Sequence, residues 1–333
     1  MRRFLAVVFL VGVMSPMASA DTIEEIRSRG YLRCGVLDTY PGFGYLDEQG
    51  NYQGFDIDFC RAIAAALDVD VRHTKLTGKT RFPALQAGQA DVVLMLVTLT
   101  MSRETKLGLD FPAVNFYDGQ AFMIRKSLGV TSARELDGAS VCLTSATTGE
   151  VNVADYFRRH RMTYQAVMFE KIDDADRAYL QGRCDVISGQ SSNLAALRAT
   201  QNRPDEHVVL SEVLSKEPMG PVTRSSDREW SLAIKYIINA LLLAEEKGLT
   251  RENVEAQAGS SSDPEVQRLL GVTGTLGPDA GLPKAWALRA IAEVGNYGEI
   301  FARNLGPDTI FAMERGMNRL WSDGGLFYPP PFK

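Results

Sequence analysis

The sequence predicts an α/β protein of two lobes, each a mainly parallel sheet with flanking helices, joined by two crossover strands. Three observations predict this class. Strand-like and helix-like segments alternate through residues 31–97 and again through 141–188, an order that builds parallel sheets. Residues 91–97 form an almost unbroken apolar run, the pattern of a strand covered on both faces. The chain has 333 residues, more than a single core ordinarily holds.

The elements follow in order. Residues 31–36 read as a strand. Phe55, Phe59, Ile63 and Leu67 recur every fourth residue, as one apolar stripe of a helix does. Asp56 and Asp58 fall in its first turn, where the helix dipole favours acids. Residues 81–87 read as a helix stopped by Gly88, and 91–97 as the strand after it. In the second half, 141–143 is a short strand. Residues 150–159 are a helix with Val151, Ala154, Tyr156 and Phe157 inward, 173–180 a helix stopped by Gly182, and 184–188 a strand. Gln86-Ala87-Gly88-Gln89-Ala90-Asp91-Val92-Val93 and Gln181-Gly182-Arg183-Cys184-Asp185-Val186-Ile187 share a helix–Gly–strand step. That step fits two related lobes, and equally an ordinary α/β turn met twice.

Two segments read as the crossovers: 117–124, after Asp110-Phe111-Pro112, and 213–222, which holds Pro218, Gly220 and Pro221. The second lobe is then 118–217, and the first is 21–117 with 218–333. Trp230, Ile234, Ile237, Leu241 and Leu242 mark an amphipathic helix closed by Gly248. The tail reads as helical over 283–294 and 308–320. It ends in Tyr328-Pro329-Pro330-Pro331, which neither a helix nor a central strand accepts.

Residues 1–20 read as a secretory signal peptide. Arg2-Arg3 is the basic start, residues 4–14 are apolar except for Gly12, and Ala18-Ser19-Ala20 is a small-residue cleavage signal. The reading expects cleavage after Ala20 and a mature protein in the periplasm. A membrane anchor is the other reading, although the apolar run is short for a bilayer, and no Cys at the cut supports a lipid anchor. Removing Arg2 and Arg3 leaves 34 of 36 basic residues against 41 acidic ones, so the net charge moves from −5 to −7. An acidic chain is a poor partner for nucleic acid or an anionic membrane. The longest later apolar stretch, 233–244, is interrupted by Lys235, Tyr236 and Asn239. The four cysteines, Cys34, Cys60, Cys142 and Cys184, form an even set behind a leader and read as two disulfides. Of three possible pairings, Cys34–Cys60 and Cys142–Cys184 are favoured, since each joins neighbouring elements of one lobe. Zinc ligation is the weaker reading, with no CxxC pair and histidines only at His73, His160 and His207.

No nucleophile elbow, metalloprotease helix or phosphate loop is present, and no cofactor is called for. Two segments carry anion chemistry instead. Thr98-Leu99-Thr100-Met101-Ser102-Arg103 follows the apolar strand, putting hydroxyls (Thr98, Thr100) and a guanidinium (Arg103) beyond its carboxyl end. In α/β sheets ligands bind there, and Arg can grip a carboxylate with two parallel hydrogen bonds. A surface loop with a solvated Arg has the same spacing. Thr144-Ser145-Ala146-Thr147-Thr148-Gly149 follows a strand and opens the helix at Glu150. It offers backbone N–H groups and hydroxyls to an anion, or simply an N-cap.

These residues, with others along the chain, resemble the periplasmic solute-binding proteins of polar amino-acid ABC transporters, of the general L-amino-acid-binding type. The resemblance rests on Tyr52-Gln53-Gly54-Phe55-Asp56-Ile57-Asp58, Lys79-Thr80-Arg81-Phe82, Gly108-Leu109-Asp110-Phe111-Pro112 and Tyr117-Asp118-Gly119-Gln120. It extends to Glu135-Leu136-Asp137-Gly138-Ala139-Ser140-Val141-Cys142, Ala154-Asp155-Tyr156-Phe157, Ser215-Lys216-Glu217-Pro218 and Gly324-Gly325-Leu326. It implies a type II periplasmic-binding fold whose lobes close on one solute, acting as a monomer that docks on a membrane permease. By resemblance, Arg103 binds the ligand α-carboxylate with help from Thr98, and Thr147 and Thr148 contact the same end from the second lobe. Tyr40 belongs to the pocket wall, and Lys79 lies over the ligand.

Two departures bear on the ligand. The family acid that meets the α-ammonium is Gln190 here, five residues after Asp185. Where the general amino-acid subgroup has Arg-Asn and an aromatic, this chain has Met95-Leu96 and Leu99. Either the ligand is a carboxylate without an α-ammonium, or its amine is met elsewhere, for example by Asp38, or the pocket has changed while still taking amino acids. Asp38 is equally read as the cap of the following turn. The leading expectation is a non-enzymatic solute receptor feeding an ABC importer. The alternative is a dehydratase-like enzyme on the same scaffold, with Glu150 or Lys79 as its general acid.

Overall fold

The computed structural model describes residues 21–333; the leader expected over 1–20 lies outside the described residues. Asp21 caps the first helix, Thr22–Arg29, by accepting from the Ile23 N–H at 2.9 Å. The strand Tyr31–Val36 then sits at the centre of a three-stranded parallel sheet, between Asp70–Lys75 and Val92–Val93. Gly35 lets the Leu76 side chain pack close to this strand, since a Cβ there would lie 2.4 Å from Leu76 Cδ1. The helix Phe55–Leu67 is buried on nearly every face, as a helix must be when it is packed between a sheet and another helix, here Trp286–Val294. The disulfide Cys34–Cys60 ties that sheet to this helix. Both disulfides form as favoured from the sequence, which removes the zinc reading.

The second sheet runs in the order Gln165–Phe169, Ser140–Thr144, Val186–Gln190, Phe116–Arg125, His207–Val209. Its first three strands are mutually parallel. Phe116–Arg125 pairs antiparallel with Val186–Gln190, with His207–Val209 and with Ser215–Met219. Phe116–Arg125 and Ser215–Met219 run side by side, Phe116 opposite Met219 and Gln120 opposite Ser215. Phe116 and Met219 pack into the core of the first sheet, whereas Phe122 and Ile124 pack into that of the second. Each strand of this pair therefore carries the chain between two cores. Among the described residues, no helix is long and apolar enough to cross a membrane.

Three sequence expectations fail. On the helix Thr148–Arg159, Val151 and Ala154 are exposed, and Val153 faces inward with Tyr156 and Phe157. The apolar run 91–97 is not one strand. Only Val92–Val93 pairs in the sheet, and Leu96 takes a left-handed φ of 53°. Its N–H is held by Asp56 Oδ2 at 3.1 Å. The run is buried because it bridges sheet and cleft, not because it is a central strand. Residues 308–320 form no α-helix either, only a 3-10 turn at Gly316–Asn318. The last α-helix is Tyr297–Leu305, whose Asn296/Glu299 capping box the apolar pattern concealed. Beyond it the chain turns at Ala312 (φ 44°) and Gly316 (φ 51°). Asn318 is held by the Tyr117 backbone at 2.7 and 2.9 Å, and Arg315 by Glu245, partners that an extended tail reaches.

Candidate functional site

The carboxyl ends of both sheets face one cavity of about 110 Å³, whose lining is drawn from segments between Leu37 and Arg103 and between Gln120 and Asn193, with Glu217. A cavity needs about 10–15 Å³ per water by this measure, so the space suits a guest of roughly amino-acid size.

Arg103 stands in the first turn of the helix Met101–Leu107, which Thr100 caps. Its guanidinium is 8% exposed and donates to the Thr98 carbonyl at 2.5 Å. Burial draws it down to about 10, against the opposing pull of Glu217. Arg81 opens the helix Arg81–Gln86 and is 5% exposed. Its Nη2 donates to the Ala146 carbonyl at 3.2 Å, but its buried Nε has no partner. Burial, and then the Arg103 charge, draw it down to about 9. Both guanidiniums lie against the Phe82 ring, at 4.7 and 5.3 Å from its centroid. Among the described residues no carboxylate forms an ion pair with either. Two like charges buried together favour an anion between them.

Glu217, on Ser215–Met219, is 2% exposed. It accepts from Thr98, from Thr148 Oγ1 at 3.2 Å, from Asn152 Nδ2 at 2.9 Å and from Ser215 Oγ at 2.6 Å. Thr98 lies beyond the Val92–Val93 strand and Thr148 opens the helix Thr148–Arg159, so the Ser215–Met219 strand gathers donors from distant parts of the chain. Thr147 donates to the Thr144 carbonyl at 2.8 Å. Tyr40 is buried with its hydroxyl unpartnered, and burial pushes that hydroxyl well above its ordinary range. Gln190 lines the cavity, its amide 3.9 Å from Met219 Sδ.

Arg103, Thr98, Thr147, Thr148, Tyr40 and Gln190 thus meet at one cavity. Lys79 and Thr100 do not line it. Lys79 is exposed at the rim, paired with Glu170 at 3.3 Å, and Thr100 serves as the helix cap that presents Arg103. Asp38 lines the cavity but is paired with Lys75 at 2.7 Å, and Glu150 is exposed away from the lining. Met95 and Leu96 make an apolar wall, while Leu99 packs into the Leu85 core instead.

Three residues of the cavity carried no role in the sequence reading. Arg81 and Glu217 lay within stretches quoted for the resemblance, yet nothing local marks them as buried. The third is Asp176, on the helix Ile172–Leu180. Its Oδ1 is buried without a partner, and burial, then Asp173, push its carboxyl up to about 7.

The family pattern described as bacterial extracellular solute-binding proteins, family 3, matches residues 32–324. The glutamate/glutamine/aspartate/asparagine-binding protein BztA of Rhodobacter capsulatus is 44% identical, over 99% of this chain and 98% of its own length. The general L-amino acid-binding periplasmic protein AapJ of Rhizobium johnstonii is also 44% identical, over 98% and 97%. A solved periplasmic binding protein from Brucella ovis with glutathione bound superposes with a TM-score of 0.91 at 44% identity, over 94% of this chain and all of that one. The holo arginine-binding protein of T. maritima superposes at 0.59 with 30% identity, over 68% of this chain and 99% of its own.

Proposed function

Because the chain belongs to the bacterial extracellular solute-binding proteins of family 3, we propose that it captures an amino acid or amino-acid-like carboxylate and delivers it, unaltered, to an ABC importer. The halves that close are 21–117 with 218–333 and 118–217, after removal of residues 1–20 on export to the periplasm. One observation carries the reading: Arg103 and Arg81 are buried at one cavity wall, and among the described residues neither forms an ion pair with a carboxylate. A guest carboxylate supplies that charge, gripped by Arg103 and flanked by Arg81. Thr147 and Thr148 approach from the other half, and Tyr40 closes the side.

The relatives bind single amino acids in one case and glutathione in another. The cavity volume favours the smaller guest. A dehydratase-like activity gains no support from the site, since Glu150 and Lys79, the acids it would use, do not line the cavity.

The test is a thermal-shift screen of the twenty L-amino acids, glutathione and small dicarboxylates, followed by calorimetry. A guest that binds only the folded form raises its melting temperature. One stoichiometric ligand with intact recovery is expected, and Arg103→Ala is expected to weaken it at least a hundredfold. Turnover of a carboxylate, or Arg103→Ala binding as tightly as wild type, overturns the reading.

A further inference from the structure

Building on the receptor reading above, we propose that Asp176 is the acceptor for the guest's ammonium group, replacing the end of the Val186–Gln190 strand, and that the protein selects carboxylates bearing an amine.

The argument begins from what is missing. The strand position where the resemblance places an ammonium-binding acid holds Gln190, whose amide cannot neutralise a buried cation. The cavity must supply a carboxylate elsewhere or exclude amines. Its other acids are accounted for. Asp38 is paired with Lys75 and Glu170 with Lys79. Asp173 is paired with Arg177 at 3.1 Å. Glu217 is filled by four donors. Asp176 alone among the lining acids of the described residues makes no hydrogen bond or ion pair, and its Oδ1 is sealed from water.

A buried carboxylate oxygen without a donor costs free energy unless a guest supplies one. Tyr40, also unpartnered, lies close enough for the Asp176 charge to push its hydroxyl upward. The two form a patch of acceptor capacity in the same cavity as the Arg81–Arg103 pair. An α-amino acid offers opposite charges to match. The sequence concealed this because Asp173, Asp174 and Asp176 open a helix, where acids are ordinary.

Burial, and then Asp173, push the carboxyl of Asp176 up to about 7. Besides Asp173 and Arg177 on its own helix, Asp176 acts on Tyr40, and Lys171 and the Lys75–Asp38 pair line the same cavity. An ammonium requires the ionised form. Amine binding therefore releases protons below that pH, and affinity rises as pH climbs toward 7 and then levels.

The test measures the twenty L-amino acids and glutathione by calorimetry, each binder beside its des-amino counterpart, such as L-glutamate beside glutarate. Proteins are wild type, Asp176→Asn, and Asp176→Asn with Gln190→Asp. Wild type is expected to prefer the amine-bearing probe at least tenfold. Asp176→Asn loses that preference and its pH dependence, yet binds the des-amino probe as wild type does and melts no lower. The added Gln190→Asp restores the preference. Wild type binding both probes equally, with Arg103 still required, overturns this proposal and leaves the receptor reading intact. So does Asp176→Asn that keeps the preference while folded. Failure of wild type to bind any probe overturns both.

Discussion

Replacing Arg81 with Met is expected to stabilise the empty protein while weakening its grip on the guest. The guanidinium is buried, and its fall to about 9 corresponds to roughly 5 kcal/mol held against the charged form, at 1.36 kcal/mol per unit. Methionine keeps most of the stem volume. It forfeits the bond to the Ala146 carbonyl, worth about 1 kcal/mol, and the contact with Phe82, worth about 0.5–1 kcal/mol. Relaxation around the real side chain reduces the gain further, leaving about 1–3 kcal/mol of net stabilisation. The folded-state value lies below the unfolded one, so the cost is carried in full at neutral pH and fades as pH climbs through about 9. The variant lacks that recovery. Against this, a lost charge-assisted bond to the guest carboxylate removes roughly 1.5–3 kcal/mol of binding, about ten- to a hundredfold. The assay is a thermal melt of ligand-free protein at pH 7 and pH 9.5, paired with calorimetry. At roughly 2 °C per kcal/mol for a chain this long, the empty variant melts a few degrees higher. A lower melting temperature with unchanged affinity refutes the reasoning, for it makes Arg81 a structural residue.

Further outcomes are expected. Lys79→Ala changes ligand affinity less than about threefold, because its pairing with Glu170 is exposed on both sides and such pairs contribute about 0–1 kcal/mol; a thirtyfold loss by calorimetry would return Lys79 to the binding wall. Cys142→Ala with Cys184→Ala opens a loop of sequence separation 42 and lowers unfolding free energy by roughly 4 kcal/mol on the chain-entropy estimate. A urea titration of oxidised wild type against the variant checks it, and a loss under 1 kcal/mol contradicts it.

What the sequence made legible was local. The strand at 31–36, the stripe from Phe55 to Leu67 and the fold class are all set by short-range patterning that the structure keeps. Arg103 was legible because it follows a run of hydroxyls at a strand's end. Arg81, Glu217 and Asp176 were not, since each looks like an ordinary charged residue on a helix or strand. Their burial arises only where two distant parts of the chain face each other, and no window of sequence contains that fact. The left-handed Leu96 was hidden for a related reason. Asp56, forty residues away, holds its N–H, whereas the surrounding apolar residues mimic a strand. At 308–320 the apolar spacing mimicked a helix, while contacts with Glu245 and Tyr117 drew the backbone elsewhere.

The gathering of donors on Glu217 bears on how the importer is supplied. Thr98, beyond the first sheet, and Thr148 and Asn152, on the helix Thr148–Arg159, meet on a single carboxylate of the Ser215–Met219 strand. By the proposed division at 118–217 only the Thr98 bond to Glu217 spans the two halves, and one such bond, at about 1 kcal/mol, favours the shut arrangement about fivefold. Under the proposed receptor role, this one contact sets how readily the vacant protein opens.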